Sequence, residues 1–166
     1  MQDENIFLLP DKIVIQRISG GTRPLKATLD EKRRYCFNSV NTLVCHSVAN
    51  QYVLGLLNST LLSWYYYNRF SNRSELTVNI ATKLLRQLPI PAVNLSNAIG
   101  KARYNRMVQL VERMLALHKQ LAATKADHSK TTVQRQIDAT DVQIDKLVYE
   151  LYELTPDEIK IVETTT

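Results

Sequence analysis

The chain has 166 residues, of which 45% are hydrophobic and 22% are charged, and its formal net charge is +5. These proportions are ordinary for a soluble globular protein, and no apolar run approaches the roughly 20 residues that a membrane-spanning helix needs. The acidic start of the chain also lacks the basic segment and the longer apolar core of a signal peptide, so we expect a cytoplasmic protein with one globular part and one extension.

The positive charge is distributed unevenly along the chain. Residues 1–99 contain 11 Lys and Arg against 6 Asp and Glu, whereas residues 100–166 contain 10 of each. Between Lys12 and Arg86 only three acidic residues oppose those 11 cations. Such a region attracts polyanions such as nucleic acid, although a basic surface can also serve solubility alone.

The first predicted element is a strand over residues 12–18, because KIVIQRI is β-branched and apolar. The sequence Ser-Gly-Gly at 19–21 ends it, since glycine permits the positive φ of a turn. Arg17 therefore lies at a loop edge, and the loop that follows contains Arg23 and Lys26. A flexible loop with exposed guanidinium and ammonium groups could enter a groove.

The next stretch, residues 35–46, is rich in strand formers and predicts one or two further strands. Over residues 49–67 the apolar period changes to three and four, which predicts a buried core helix. Trp64 and the tyrosines at 65–67 allow two interpretations. They could stack on unpaired bases, or they could pack in a core or an interface.

The last 67 residues show two amphipathic segments. We expect Gly100 to close the globular part and a first helix to cover residues 101–123, with His118 on its apolar seam as a packed or interface histidine. Residues 124–132 are polar and predict a bend, after which a second seam predicts a helix over residues 133–154. Both seams have coiled-coil spacing, so each helix is the expected partner of the other.

These elements predict an α+β fold. We expect a small mixed or antiparallel sheet with one or two packed helices, followed by a long antiparallel helical hairpin. The predicted domain division places the globular domain in residues 1–99 and the hairpin, with a short capped C-terminal helix, in residues 100–166.

One motif resembles a catalytic signature in its letters alone. The run PDEIK at residues 156–160 contains the letters of a PD-(D/E)xK nuclease site, in which separated residues of a sheet converge on magnesium. Here the letters are contiguous. Thr155 is followed by a proline at the next position and by Glu158 three residues later, which is the pattern of a capping box. We therefore predict a helix start.

No other catalytic or metal-binding motif is evident. His46, His118 and His128 have no metal-ligand spacing with one another or with the cysteines, and Cys36 and Cys45 are predicted to be reduced and packed. GxGxxG, P-loop and Asn-Pro-Pro-Tyr motifs are absent from the sequence. Catalysis by this chain alone is therefore not expected.

Four strings, in order, resemble one family: KIVIQRIS, YVLGLLNSTLLSWYY, LLRQLPIP and IDKLVYELYELTPDEIKIVE. They are similar to the TaqI-like C-terminal specificity domains of type II restriction-modification enzymes fused to an adenine-N6 DNA methyltransferase. The LPIP exit into helices is also similar to the target recognition domains of type I specificity subunits. Relatives tend to have glycine where this chain has Glu153, and glutamate is expected to extend the helix past Leu151.

The resemblance implies a target recognition domain that reads duplex DNA, so that a methyltransferase domain can flip out an adenine and an endonuclease domain can cut. Because the motifs of both activities are absent, we expect the recognition end of a larger enzyme, either a fragment or a split subunit. No cofactor is expected in this chain, and S-adenosylmethionine and magnesium are expected in the catalytic domains. The expected partners are duplex DNA, the methyltransferase domain or subunit, and a second copy through the hairpin.

Five cations and three amides are predicted to contact DNA, because arginine is the commonest reader of guanine and amides pair with adenine. They are Arg17, Arg23, Lys26, Arg69 and Arg73, with Gln16, Asn68 and Asn72 as candidates for adenine contacts. An alternative is an oligomerisation or interaction protein whose basic face is incidental. A third is an enzyme whose site is assembled from other residues.

Overall fold

The computed structural model describes residues 8–71 and 77–164. The described strands are β1 Lys12–Gln16, β2 Ile18–Ser19, β3 Ala27–Asp30, β4 Val40–Leu43 and β5 Val78–Asn79. The described helices are α1 Asn50–Asn58, α2 Thr60–Phe70, α3 Thr82–Leu85, α4 Ala98–Ala123, α5 Asp127–Leu151 and α6 Pro156–Thr164. The α+β prediction is thereby confirmed. No helix among these elements is long and apolar enough to cross a membrane.

The central sheet has the order β3-β1-β4 and is antiparallel, and a second sheet pairs β2 with β5. Alternation along β1 buries Ile13 and Ile15 on the face that packs against α1. The predicted strand over residues 12–18 is interrupted at Arg17. There the chain changes partners, because the Arg17 N–H donates to Ser39 O at 3.0 Å while Arg17 O accepts from the Ile80 N–H at 2.7 Å.

The strand predictions were incomplete. Residues 35–46 form one strand, β4, which agrees with the prediction of one or two strands there, whereas β3 was not predicted. The sequence of β3, ATLD, has little local strand preference. Its outer edge is instead paired by a side chain, because Asn58 accepts from the Ala27 N–H at 2.9 Å and donates to Ala27 O at 3.0 Å.

The predicted core helix over residues 49–67 is two helices that meet at Ser59. This residue is extended, with φ −66° and ψ 153°, and it serves both helix ends. Its hydroxyl donates to Leu56 O at 2.6 Å and accepts from the Leu62 N–H at 3.2 Å. The apolar period continues through the break, so periodicity alone did not reveal it.

The helical hairpin is confirmed, with different ends. Asn97 caps α4 by accepting from the Ile99 N–H at 2.9 Å, so Gly100 lies inside the helix instead of closing the globular part. The bend is only three residues long, since α5 already begins at Asp127. His118 was predicted to be a packed or interface histidine on the seam; it is exposed, so it does not pack within the chain. The buried seam residues are Met107, Leu110, Val111 and Leu117 from α4 and Val133, Ile137, Thr140, Ile144 and Leu147 from α5.

The end of α5 contradicts the prediction that Glu153 extends the helix. The helix ends at Leu151, and Glu153 has a φ of 55°. The Leu154 N–H donates to Tyr149 O at 3.0 Å and the Glu153 N–H donates to Glu150 O at 3.3 Å. This is the bonding pattern of a Schellman motif, with glutamate at the position that glycine usually occupies.

The capping box at the start of α6 is confirmed. Glu158 accepts from the Thr155 N–H and hydroxyl, both at 2.8 Å, and the Glu158 N–H approaches the Thr155 hydroxyl at 3.4 Å. These hydrogen bonds lower the pKa of Glu158. The PDEIK run therefore begins a helix, with Pro156 at its first position.

One hydrophobic core joins the sheet, α1 and α2 to α4, α5 and α6. α1 and α4 approach each other closely at Gly55, where an added Cβ would lie 2.5 Å from the Met107 sulfur. A second, smaller cluster of Leu117, Val133 and Ile137 lies farther along the hairpin. The predicted division into two domains remains a prediction, and the two parts share their main core.

Candidate nucleic-acid interface

Arg17 lies where the two sheets meet. Its N–H and C=O are both used in backbone hydrogen bonds, one to each sheet, so its backbone is fixed while its side chain is exposed. The guanidinium Nη1 donates to Asn38 O at 3.2 Å. Within the described part of the chain, its remaining N–H donors have no hydrogen-bond partner. A fixed backbone that carries a guanidinium with free hydrogen-bond donors is suited to the recognition of a ligand.

A polar pocket of about 230 Å³ lies beside Arg17. Residues 36–38, β4 and the start of α3 form its lining, and Lys83 supplies a second cation. The buried Asn41 holds the two walls together: its Nδ2 donates to Ile80 O at 2.6 Å and its Oδ1 accepts from the Thr82 hydroxyl at 2.9 Å. The pocket can therefore keep its shape when an anion approaches.

The connection between β3 and β4, residues 31–39, is called the cationic loop here. It exposes three consecutive cations at 32–34. Its start is fixed by Asp30, which pairs with the buried Lys12 and accepts from the Arg34 N–H at 2.6 Å and the Lys32 N–H at 3.2 Å. Burial acts to raise the pKa of Asp30, but these hydrogen bonds outweigh it and the pKa is lowered. Asp30 therefore stays ionised and holds the loop.

Two other predicted residues lie next to Arg17. The Gln16 N–H donates to Lys26 O at 2.9 Å, so the two residues are neighbours in the sheet, and both side chains are exposed. Lys26 also borders a groove of about 660 Å³ that lies between β3, α1 and the hairpin. The structure thus brings together Gln16, Arg17 and Lys26.

Arg23 takes a different place. Its Nη1 lies 3.2 Å from an Asp141 carboxylate oxygen and its Nη2 donates to Asn58 O at 3.1 Å. A second carboxylate, that of Asp145, lies 4.0 Å away. These partners direct the guanidinium toward the hairpin, so Arg23 joins the loop after β2 to α5.

The predicted residues of α2 and the loop after it are more distant from these contacts. Asn68 donates its amide to Trp64 O at 2.9 Å, within its own helix. Arg69 is exposed in the last turn of α2, and no hydrogen bond or ion pair between described residues connects it to Arg17. Asn72 and Arg73 lie outside the described residues.

The aromatic run at the end of α2 packs in the core rather than forming a stacking platform. Tyr66 and Tyr67 are buried, and Phe70 lies with its ring centroid 5.5 Å from that of Tyr66 and 5.8 Å from that of Tyr65. The Tyr66 hydroxyl donates to Asn79 O at 2.9 Å. Core packing, one of the two interpretations, is confirmed for these rings.

Sequence reasoning named neither Lys83 nor the cationic loop as part of the site. The run KRRYCFN was a signal for the loop, since it combines three cations with two aromatics. No local signal marked Lys83, because it lies near Arg17 only as a result of the pairing of β2 with β5. No group of three or more His, Cys, Asp or Glu among residues 8–71 and 77–164 is arranged to hold a metal ion. Both cysteines are free and half-buried.

Comparison with known families finds a match for the first part of the chain. A family model described as the TaqI-like C-terminal specificity domain matches residues 2–90, which is slightly more than half of the chain. That range includes both sheets, α1, α2, α3 and the cationic loop. No curated protein and no solved structure matches the chain.

Proposed function

Because the chain belongs to the TaqI-like C-terminal specificity domain family, we propose that it reads a short duplex DNA sequence for a restriction-modification enzyme. The family supports a specificity role, and a specificity domain is not catalytic by itself. The observation that carries the proposal for this chain is Arg17, which has a fixed backbone and an exposed guanidinium beside a polar pocket.

The chemistry of Arg17 and its neighbours suits DNA. A guanidinium can donate two parallel hydrogen bonds to O6 and N7 of guanine in the major groove, and a glutamine amide can pair with adenine in the same way. Arg17 and Gln16 are therefore the proposed base readers. Lys26, Lys83 and the cations at 32–34 are proposed to contact phosphates, which position the protein without carrying sequence information.

We further propose that an adenine-N6 methyltransferase, as a domain or a separate subunit, acts on the DNA that this chain selects. S-adenosylmethionine would bind to that part, and magnesium to a nuclease part where one is present. The hairpin is proposed as the spacer and docking arm, because its far half, the half next to the bend, has its own small core of Leu117, Val133 and Ile137. This work on DNA would take place in the cytoplasm.

The interaction-protein alternative gains no support from the hairpin. Its apolar seam is occupied within the chain, since the apolar seam residues of α4 and α5 are buried in the main core and in the smaller cluster of the hairpin. Oligomerisation through that seam would require the hairpin to open. A homodimer would therefore have to use another surface.

The proposal can be tested by binding labelled duplexes to the chain alone and to the chain with its methyltransferase part. We expect affinity to fall with salt, with a log–log slope of about −0.9 per neutralised phosphate. Arg17→Ala should weaken binding of the preferred sequence by about 5- to 150-fold, the worth of one bidentate base contact.

Arg113→Ala in α4 is the matched control, because Arg113 is also exposed but belongs to the hairpin. It should leave DNA affinity unchanged. The proposal is contradicted if neither the chain nor its complex binds duplex DNA at low salt. The assignment of Arg17 as a base reader is wrong if Arg17→Ala binds DNA as tightly as the unmodified chain does.

A further inference from the structure

Phe37 exposes 86% of its side chain, more than any other large hydrophobic residue in the described ranges. A phenylalanine in a core or an interface usually contributes 150–250 Å² of buried surface. Here that surface faces solvent in the middle of the cationic loop. Tyr35, two residues earlier, is 65% exposed.

The backbone that carries Phe37 is held on both sides. Phe37 O accepts from the Val40 N–H at 3.2 Å, and the O of Ser39, two residues later, accepts from the Arg17 N–H at 3.0 Å. Asp30 fixes the start of the loop through its bonds to two backbone N–H groups. The exposed ring therefore projects from an anchored backbone, which lowers the entropy that is lost when the ring is inserted into a partner.

The surroundings of Phe37 are cationic and polar. Phe37 lines the pocket that contains Arg17 and Lys83, and three exposed cations precede it in the loop at 32–34. A protein partner with an apolar surface would leave these cations without counter-charges. Duplex DNA supplies both kinds of contact, because its phosphates match the cations and its stacked bases offer an apolar slot.

We propose that Phe37 is a wedge that enters between adjacent base pairs of the bound duplex and partly unstacks them, while Arg17 reads a neighbouring base and Lys83 contacts a phosphate beside the opened step. Insertion of an apolar side chain at a base step is a known way in which proteins bend DNA. The inference rests on the proposed function and deepens it. Capture of an extrahelical base in the pocket is less favoured, because Phe37 is the one aromatic residue among the described residues that line it, so no second ring could sandwich the base.

The test uses the full chain, with its methyltransferase part where that is needed for binding. Duplexes enriched by the unmodified chain from a randomised pool would carry 2-aminopurine at each position in turn, since the fluorescence of this base rises when it is unstacked. We expect a rise at one step other than the adenine that the methyltransferase part flips out. Phe37→Ala should abolish it and weaken affinity by about 5- to 150-fold, the worth of one stacking contact. The salt slope should not change, because no charge is removed.

Phe37→Leu should keep part of the fluorescence rise, since leucine is also an apolar wedge. Val142→Ala is the matched control, because Val142 is 53% exposed on α5, and it should change neither readout. Retention of both affinity and fluorescence in Phe37→Ala would overturn the wedge and leave the DNA-reading function intact. If Phe37→Ala instead no longer bound the methyltransferase part but still unstacked DNA, the ring would contact that protein part, and the wedge would again be wrong. Absence of DNA binding by the unmodified chain and its complex would overturn both proposals.

Discussion

Glu153 occupies a backbone conformation that glycine adopts without steric cost. Its φ of 55° lies in the left-handed region, where a residue with a Cβ is disfavoured by roughly 1–2 kcal/mol. Replacing it by glycine removes that clash but increases the freedom of the unfolded chain. We expect Glu153→Gly to raise the free energy of unfolding by about 0.5–1 kcal/mol, as measured by urea denaturation.

The same substitution elsewhere should have the opposite effect. Glu112 is exposed in the middle of α4, so Glu112→Gly should lower the free energy of unfolding by about 1 kcal/mol. Equal destabilisation by both substitutions would show that the end of α5 tolerates glutamate without strain.

At the residue scale, local sequence placed Arg17 at a strand edge but could not separate it from Arg23. The glycines at 20 and 21 mark the end of a strand, and that local signal places Arg17 at an edge. The partner of Arg23, Asp141, is 118 positions away in the chain. Only the packing of the hairpin against α1 and α2 decides that Arg23 is an internal tie and Arg17 is not.

At the element scale, α2 depends on a carboxylate from another helix. Asp145 of α5 accepts from the Thr60 N–H at 2.8 Å and from its hydroxyl at 2.5 Å. This satisfies an N–H at the start of α2 that lacks a partner within the helix. Asp145→Ala should therefore lower the free energy of unfolding by about 1 kcal/mol, the worth of a helix cap.

Asp145 also predicts a pH effect. Burial raises its pKa, and the hydrogen bonds from Thr60 and the charge of Arg23 only partly offset this. The folded pKa therefore lies above the unfolded value, so the contribution of Asp145 to stability is greatest below the unfolded pKa and falls as the pH rises through the folded pKa. The difference in unfolding free energy between the unmodified chain and Asp145→Asn should follow that trend between about pH 3 and pH 7. A flat difference would contradict it.

The helices were more predictable than the strands. Seam residues repeat at three and four positions, so the hairpin could be inferred from local pattern. The strand β3 could not, because it depends on pairing with β1 and on the Asn58 amide. The break at Ser59 had a weak signal in the run Asn-Ser-Thr at 58–60, since these residues favour helix caps over helix interiors.

At the scale of the whole molecule, the hairpin completes the core of the recognition part. Met107 and Val111 of α4 pack against Gly55, and α5 and α6 add further residues to the same cluster. The far half of the hairpin contributes to a separate cluster. The two halves of the hairpin should therefore differ in their importance for folding, whatever their roles in docking.

A truncation separates these contributions. Residues 1–97 alone would expose the face of α1 that Met107 and Val111 cover, so we expect this fragment to lack a cooperative thermal transition in circular dichroism. Arg106 Nη2 bonds to Gln143 Oε1 at 2.8 Å, which places residues 113 and 136 at the same level of the hairpin. Replacing residues 114–135 by a short glycine-containing turn should then preserve the main core and a single cooperative transition. Cooperative unfolding of the 1–97 fragment would instead show that the recognition part is an independent domain, because a shared core cannot lose α4 and α5 without exposing apolar surface.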